Sequence, residues 1–341
     1  MENRKRSFKV FAVIMAMMLM TGVLAGCGGK NADKKDSASK AKVVKVGGKS
    51  IDEVIDTVSK SVVEKNKPEG IAKAGQDWLI FDLAKLNACR KNKAIPKNYF
   101  KEYYDGVRVK VKMKKGILDK KNYTENMKVS LATLAINKDP MKIEGRNILS
   151  KADNYDAVKS QGLNAEFYAL ILNSYGKYGF KNEKRYLHDV LAAAHKDGGF
   201  SYGGKKSDVD MTAMAVQALA PYSIDNKKAG KAVKKAIKFL SKKQNKDGGY
   251  DTCESVAQVI LAIGSMRYNP LKERKFIKDG KNLGDGLMKY ATKDGFSHTA
   301  GGETDAMATE QSLRGLAAIL NGMQGRSEEH TSELQSHELI S

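Results

Sequence analysis

Between residues 50 and 320 the apolar positions recur at helical spacing, in two kinds of stretch that alternate along the chain. One kind carries a single apolar stripe opposite clusters of lysine: Ile51–Lys65, Pro96–Lys112, Met141–Ser160, Glu183–Lys196, Lys231–Asn245 and Leu283–Lys293. The other is apolar nearly all round and rich in Ala, Leu and Met: Gln76–Leu86, Thr124–Ile136, Leu163–Tyr175, Asp208–Tyr222, Glu254–Met266 and Thr304–Leu320. A striped helix belongs on the outside of a domain and an unstriped one inside it. Strand signals are nearly absent; the helical pattern is weakest at Val107–Met113, which alternates like a strand.

The junctions repeat as well. Asp197-Gly198-Gly199-Phe200 recurs as Asp247-Gly248-Gly249-Tyr250, and in eroded form as Asp294-Gly295-Phe296. A period of about 50 residues marks stacked helical hairpins, because one hairpin cannot bury its own apolar face. The glycines supply the positive φ that ends a helix, and Phe200, Tyr250 and Phe296 are expected to plug the joints between hairpins. Pairing each striped helix with the unstriped one after it gives six hairpins. The expected fold is therefore all-α, an α/α toroid of six hairpins over residues 47–325.

The two ends fall outside that pattern. Arg4, Lys5, Arg6 and Lys9 precede an uncharged apolar run from Val10 to Gly26, which reads as a signal peptide over residues 1–26. It ends in Leu24-Ala25-Gly26-Cys27, which resembles the lipobox of bacterial lipoproteins. That resemblance implies lipidation of Cys27 and an extracytoplasmic chain held to the bacterial cell membrane. Residues 27–46 are Lys, Ser, Asp, Ala and Gly with few large apolar groups, the composition of a flexible tether. The last residues, RSEEHTSELQSHELIS from Arg326 to Ser341, back-translate into a common short-read sequencing adapter. They are read as an artefact, so no role is given to His330, Glu333 or His337.

Charge narrows the partners. The chain carries 60 Lys and Arg against 39 Asp and Glu, a formal +21. On an exported, anchored protein this excess points to anionic headgroups or anionic surface polymers, or equally to Lys-rich helix exteriors that keep the protein soluble, and no motif points to nucleic acid. With Cys27 acylated, Cys89 and Cys253 remain, too few for a disulfide framework.

Lys235-Ala236-x-x-Phe239-Leu240-x-x-x-Gln244-x-x-x-Gly248-x-Tyr250 resembles the QW motif of squalene and oxidosqualene cyclases, with Tyr250 in the usual Trp position. Residues 50–320 as a whole resemble the prenyltransferase and squalene-cyclase repeat superfamily. In that family the Gln and the aromatic tie neighbouring repeats together. Asp208-Val209-Asp210-Met211-Thr212-Ala213 is similar to the DxDDTA acid motif of class II terpene cyclases, Met211 replacing the last Asp and Asp210 standing at the proton donor. As an alternative, both carboxylates cap the start of a helix. Asp251-Thr252-Cys253 resembles the zinc-binding Asp-x-Cys of protein prenyltransferases, but Ala308 occupies the slot of the His, so no metal site is expected. The Cys-Gly-Glu-Gln element of thioester domains is missing.

The resemblance leaves a non-catalytic, transcobalamin-like branch as the leading expectation, with a cobalamin-like ligand at the mouth of the ring. Tyr202, Asp208, Asp210, Gln217, Glu254, Gln258 and Gln311 are its expected lining, each Gln being equally well explained as a structural bond between adjacent hairpins. A divergent cyclase acting through Asp210 and a structural cell-wall module are the alternatives.

Overall fold

A computed structural model of the chain describes residues 43–68 and 76–324. The expectations for the leader, Cys27, residues 28–42 and the tail 326–341 lie outside them. A short antiparallel hairpin of β1 (Lys45–Val46) and β2 (Lys49–Ser50) precedes the helices. These are α1 (Ile51–Lys65), α2 (Gln76–Cys89), α3 (Tyr99–Met113), α4 (Thr124–Ala135), α5 (Tyr155–Lys159), α6 (Leu163–Gly176), α7 (Glu183–Ala192), α8 (Val209–Leu219), α9 (Lys227–Lys243), α10 (Cys253–Ser265), α11 (Leu283–Met288) and α12 (Ala306–Gln324). The described residues are thus mostly helical, and none of their helices is long and apolar enough to cross a membrane.

The two kinds of helix separate as their patterns require. In α9 only one stripe is buried, with Ala229, Val233, Ile237 and Leu240 on it. In α10 burial runs almost without a gap from Cys253 to Ile263. Even-numbered helices pack on one another in chain order: α2 on α4, α4 on α6, α6 on α8, α8 on α10 and α10 on α12. The last of them, α12, also packs on α2. The outer helices pack chiefly on the inner helix before them and not, as expected, on the one after, with α3 on α2, α7 on α6, α9 on α8, α11 on α10, and α1 on α12.

The Asp-Gly-Gly turn holds each hairpin to the next. Gly198 and Gly248 have φ of +88° and +84°, where other residues are strained. The carboxylates of Asp197 and Asp247 accept the backbone N–H of Gly199 and Gly249 at 3.0 and 2.9 Å, closing the turns. A Cβ on Gly198 would lie 2.7 Å from Lys235 Cβ on α9, and one on Gly248 only 2.3 Å from the Asn282 carbonyl at the start of α11. Each turn therefore seats against the following outer helix. Phe200, Tyr250 and Phe296 are buried at these joints. Gln244 donates both to the Gly248 carbonyl, at 2.8 Å, and to the Phe276 carbonyl of the next repeat, at 2.9 Å.

The eroded third turn makes a different contact. Asp294 accepts from Lys65 Nζ at 2.5 Å and from Thr304, so it reaches α1. Inside, Arg314 of α12 donates to both oxygens of buried Asp82 on α2, at 2.7 and 3.1 Å, and to Glu310. Its guanidinium lies over Trp78, 4.3 Å from the ring centroid.

Two segments differ from expectation. Met141–Ser160 is not one helix: it holds a 3₁₀ turn at Ile148–Lys151 and the five-residue α5. Pro140 and the positive φ of Glu144 and Gly145 interrupt it, and the side chains of Asn147 and Asn154 each cap a new start. Leu283–Lys293 stops at Met288, after which Tyr290 turns inward to donate to the Tyr250 carbonyl at 2.5 Å. Val107–Met113, for all its strand-like alternation, is helical as the expected outer stretch Pro96–Lys112 requires, with Tyr103, Val107 and Val111 forming the buried i, i+4, i+8 stripe. The segment read as tether also ends in folded structure, since Val46 pairs with Lys49 and is buried.

Candidate functional site

The N-terminal ends of α8, α10 and α12 are built alike. A capping residue sets each start: Asp208 accepts from Met211 N–H at 2.8 Å, Thr252 from Ser255 N–H at 3.2 Å, and Asp305 from Ala308 N–H at 2.8 Å. In two of them the cap also clamps the aromatic of the preceding turn. Asp208 N–H donates to the Phe200 carbonyl at 2.9 Å while Phe200 N–H donates to Thr212 Oγ1 at 2.9 Å. Asp305 and Thr309 repeat the arrangement around Phe296, at 2.8 and 2.9 Å. Asp-x-x-x-Thr is therefore the signature of this joint, legible at 208–212 and at 305–309 once the two are aligned.

Within this layer the carboxylates meet. Asp210, one residue into α8, accepts the Ser255 hydroxyl of α10 at 2.7 Å. Glu254, buried at the first turn of α10, lies 2.9 Å from Nδ1 of His298 in the loop before α12. Burial pushes the Asp210 carboxyl above its usual range; the Ser255 bond opposes this, and nearby Asp208 and Glu254 reinforce it. His298 is held above the ordinary histidine value, first by its bond to Glu254 and then by that carboxylate's charge. The His298 carbonyl also accepts Cys253 N–H at 3.1 Å, so the loop seals the end of α10.

Below the carboxylates runs an amide relay. Gln217 donates to Gln258 Oε1 at 2.9 Å, and Gln258 donates to Gln311 Oε1 at the same distance. Three consecutive inner helices are thus joined by their glutamines, and of the expected lining Gln217, Gln258 and Gln311 form this relay while Asp208, Asp210 and Glu254 lie at the helix starts with partners of their own. Tyr202 stands apart, an exposed side chain on the loop between α7 and α8. Ser255 and His298, which complete the site, carry no motif of their own.

The Asp-x-Cys pattern does not converge. Asp251 accepts from Asn245 at 3.3 Å, whereas the buried Cys253 thiol lies 3.1 Å from the Ser312 hydroxyl. Burial pushes that thiol up to about 12. Among the described residues no group of three or more His, Cys, Asp or Glu is placed to hold a metal ion.

No known family model and no characterised protein matches this chain. Its chemistry rests on the geometry above.

At this end of the helices Asp208 is engaged as a cap, Asp210 accepts from Ser255, and Glu254 is paired with His298. Each of these groups is held in place by its partner, and an ionised carboxylate accepts hydrogen bonds and attracts cations. The amide relay beside them offers both donors and acceptors.

Proposed function

We propose that the chain is a lipid-anchored, extracytoplasmic α/α toroid that binds a small ligand or surface partner without catalysing a reaction. The ring reading draws support from the order of packing, in which α12 meets both α10 and α2. The anchor reading rests on Leu24-Ala25-Gly26-Cys27. One observation carries the binding reading: polar side chains join α8, α10 and α12 at two levels, Asp210 with Ser255 at their N-terminal ends and Gln217 through Gln258 to Gln311 beyond them. Such an arrangement recognises a ligand rich in amide or other donor groups, the chemistry of a cobalamin-like molecule.

The test is incubation of the purified protein with cobalamin, desalting, and a visible absorption spectrum of what remains. Retained absorbance that is lost in Gln258→Leu supports the reading. A colourless protein removes cobalamin as the ligand. Incorporation of labelled fatty acid, abolished by Cys27→Ala, tests the anchor separately.

One observation favours a second reading. The Asp210 carboxyl is raised by burial and sits where the resemblance to class II terpene cyclases places a proton donor. Gas chromatography after incubation with squalene decides it: cyclised product formed by the parent and not by Asp210→Asn would replace the binding reading with a cyclase.

A further inference from the structure

One outer helix carries positive charge with no acid to offset it. The 17 residues of α9, KKAGKAVKKAIKFLSKK, hold eight lysines and no acid. Lys227, Lys231, Lys234 and Lys238 run along the centre of the solvent side, opposite the buried stripe, and all are exposed. None of the eight stands in an ion pair with a described acid. Other outer helices are mixed: α1 alternates Asp52, Glu53 and Asp56 with Lys60 and Lys65, and α7 pairs basic residues with Glu183 and Asp189.

A one-signed helix carries a cost. Lysines at i, i+4 repel, and Lys227 and Lys228 occupy the first turn, where the helix dipole disfavours cations. A face that served solubility alone would lose nothing by interspersing acids. Clustered lysines, each a compact charge with three donors, suit phosphate groups.

Two apolar tips flank the row. Ile224, two residues ahead of the Asn226 cap of α9, is 90% exposed, more than any other large apolar side chain among the described residues. Ile277, also exposed, sits beside the other end, where Lys278 donates to Ser241 of α9 at 3.1 Å and the Phe276 carbonyl accepts from Gln244. A soluble polyanion needs no apolar contact. An interface of phosphate headgroups over acyl chains uses both kinds of residue.

We propose that the outer face of α9, with Ile224 and Ile277 at its ends, docks on an anionic phospholipid surface. This deepens the membrane-anchored reading above and rests on it for the bilayer's being within reach. The start of the folded chain lies nearby: a Cβ on Gly284 would touch both Val46 and Leu271, and residues 271–282 border α9.

The experiment uses the chain without residues 1–27, which removes no part of the core described above, so that neither leader nor acyl chain contributes. Flotation with vesicles of phosphatidylglycerol in phosphatidylcholine is compared with phosphatidylcholine alone, at low and high salt. Binding to the anionic vesicles, weakened by salt, is expected. Lys231→Gln/Lys234→Gln/Lys238→Gln is expected to lose about a hundredfold, from roughly fivefold per lysine near an anionic surface. Ile224→Ser should weaken binding independently. These side chains are exposed, so a circular dichroism melt is expected to match the parent. A triple substitution at Lys114, Lys120 and Lys121, exposed on another hairpin, controls for net charge and should bind as the parent does. Failure to float, or equal loss in that control, overturns the proposal. So does binding to soluble poly(glycerol phosphate) with no binding to vesicles, which would assign the face to a wall polymer. Fatty-acid labelling at Cys27 is read separately, so failure of the anchor and failure of the face are distinguishable.

Discussion

Gly248 and Gly301 both have positive φ, +84° and +76°, yet their surroundings differ. A Cβ at 301 would meet nothing within 4 Å, whereas at 248 it would lie 2.3 Å from the Asn282 carbonyl, a backbone atom that no rotamer change can move. Gly301→Ala should therefore cost only the left-handed penalty, about 1–2 kcal/mol. Gly248→Ala adds a steric clash with the next hairpin, and a total of about 3 kcal/mol or more is expected. Urea denaturation of both variants checks this; equal losses would mean that the glycine serves the turn alone and not the joint. Asp-Gly-Gly could be read as a turn from the residues themselves. Its second role, as the seat of a neighbouring helix, could not, because nothing in the local sequence says what lies opposite.

At the scale of elements, the loop before α12 is fastened to α10 by His298 on Glu254. Its proton linkage has a definite sign. The folded state holds the His298 proton above the ordinary value of 6.5, so this contribution is fully present below that pH and is lost as pH rises through the raised folded value. Asp210 acts in the same direction lower down: burial makes the folded state keep its proton above 3.8, so stability falls as pH rises past that point. His298→Asn should remove the upper loss and Asp210→Asn the lower, as read from denaturation midpoints across pH. An unchanged upper slope in His298→Asn would show that the pair does not hold the loop. Most helices of these hairpins were legible because burial on one side leaves a periodic imprint. Met141–Ser160 was not, since its short starts depend on the side-chain caps of Asn147 and Asn154, and caps compete with periodicity over so few residues. Candidate carboxylates and glutamines were legible as polar residues on inner helices, but their partners Ser255 and His298 were visible only once the helices stood side by side.

At the scale of the whole folded unit, the first and last inner helices, α2 and α12, meet through Asp82 and Arg314. The paired carboxylates hold the Arg314 guanidinium charged, while burial pushes the Asp82 carboxyl up against that pull. Arg314→Met would strand a buried acid and is expected to cost about 3–5 kcal/mol, whereas adding Asp82→Leu should restore much of it. A single variant within about 0.5 kcal/mol of the parent would remove this contact as a support of the fold.

The same meeting has a bearing on the order of events during folding. Asp294 finds Lys65, and Arg314 finds Asp82, across more than 200 residues of chain. Until α12 has been made and delivered, the face of α2 that it covers has no cover. Contacts of such separation are slow to form, and apolar surface left open meanwhile invites association with other chains. The first helices to leave the ribosome are therefore among the last to be covered, and the weakest copy of the repeated turn, through Asp294, is what reaches back to them.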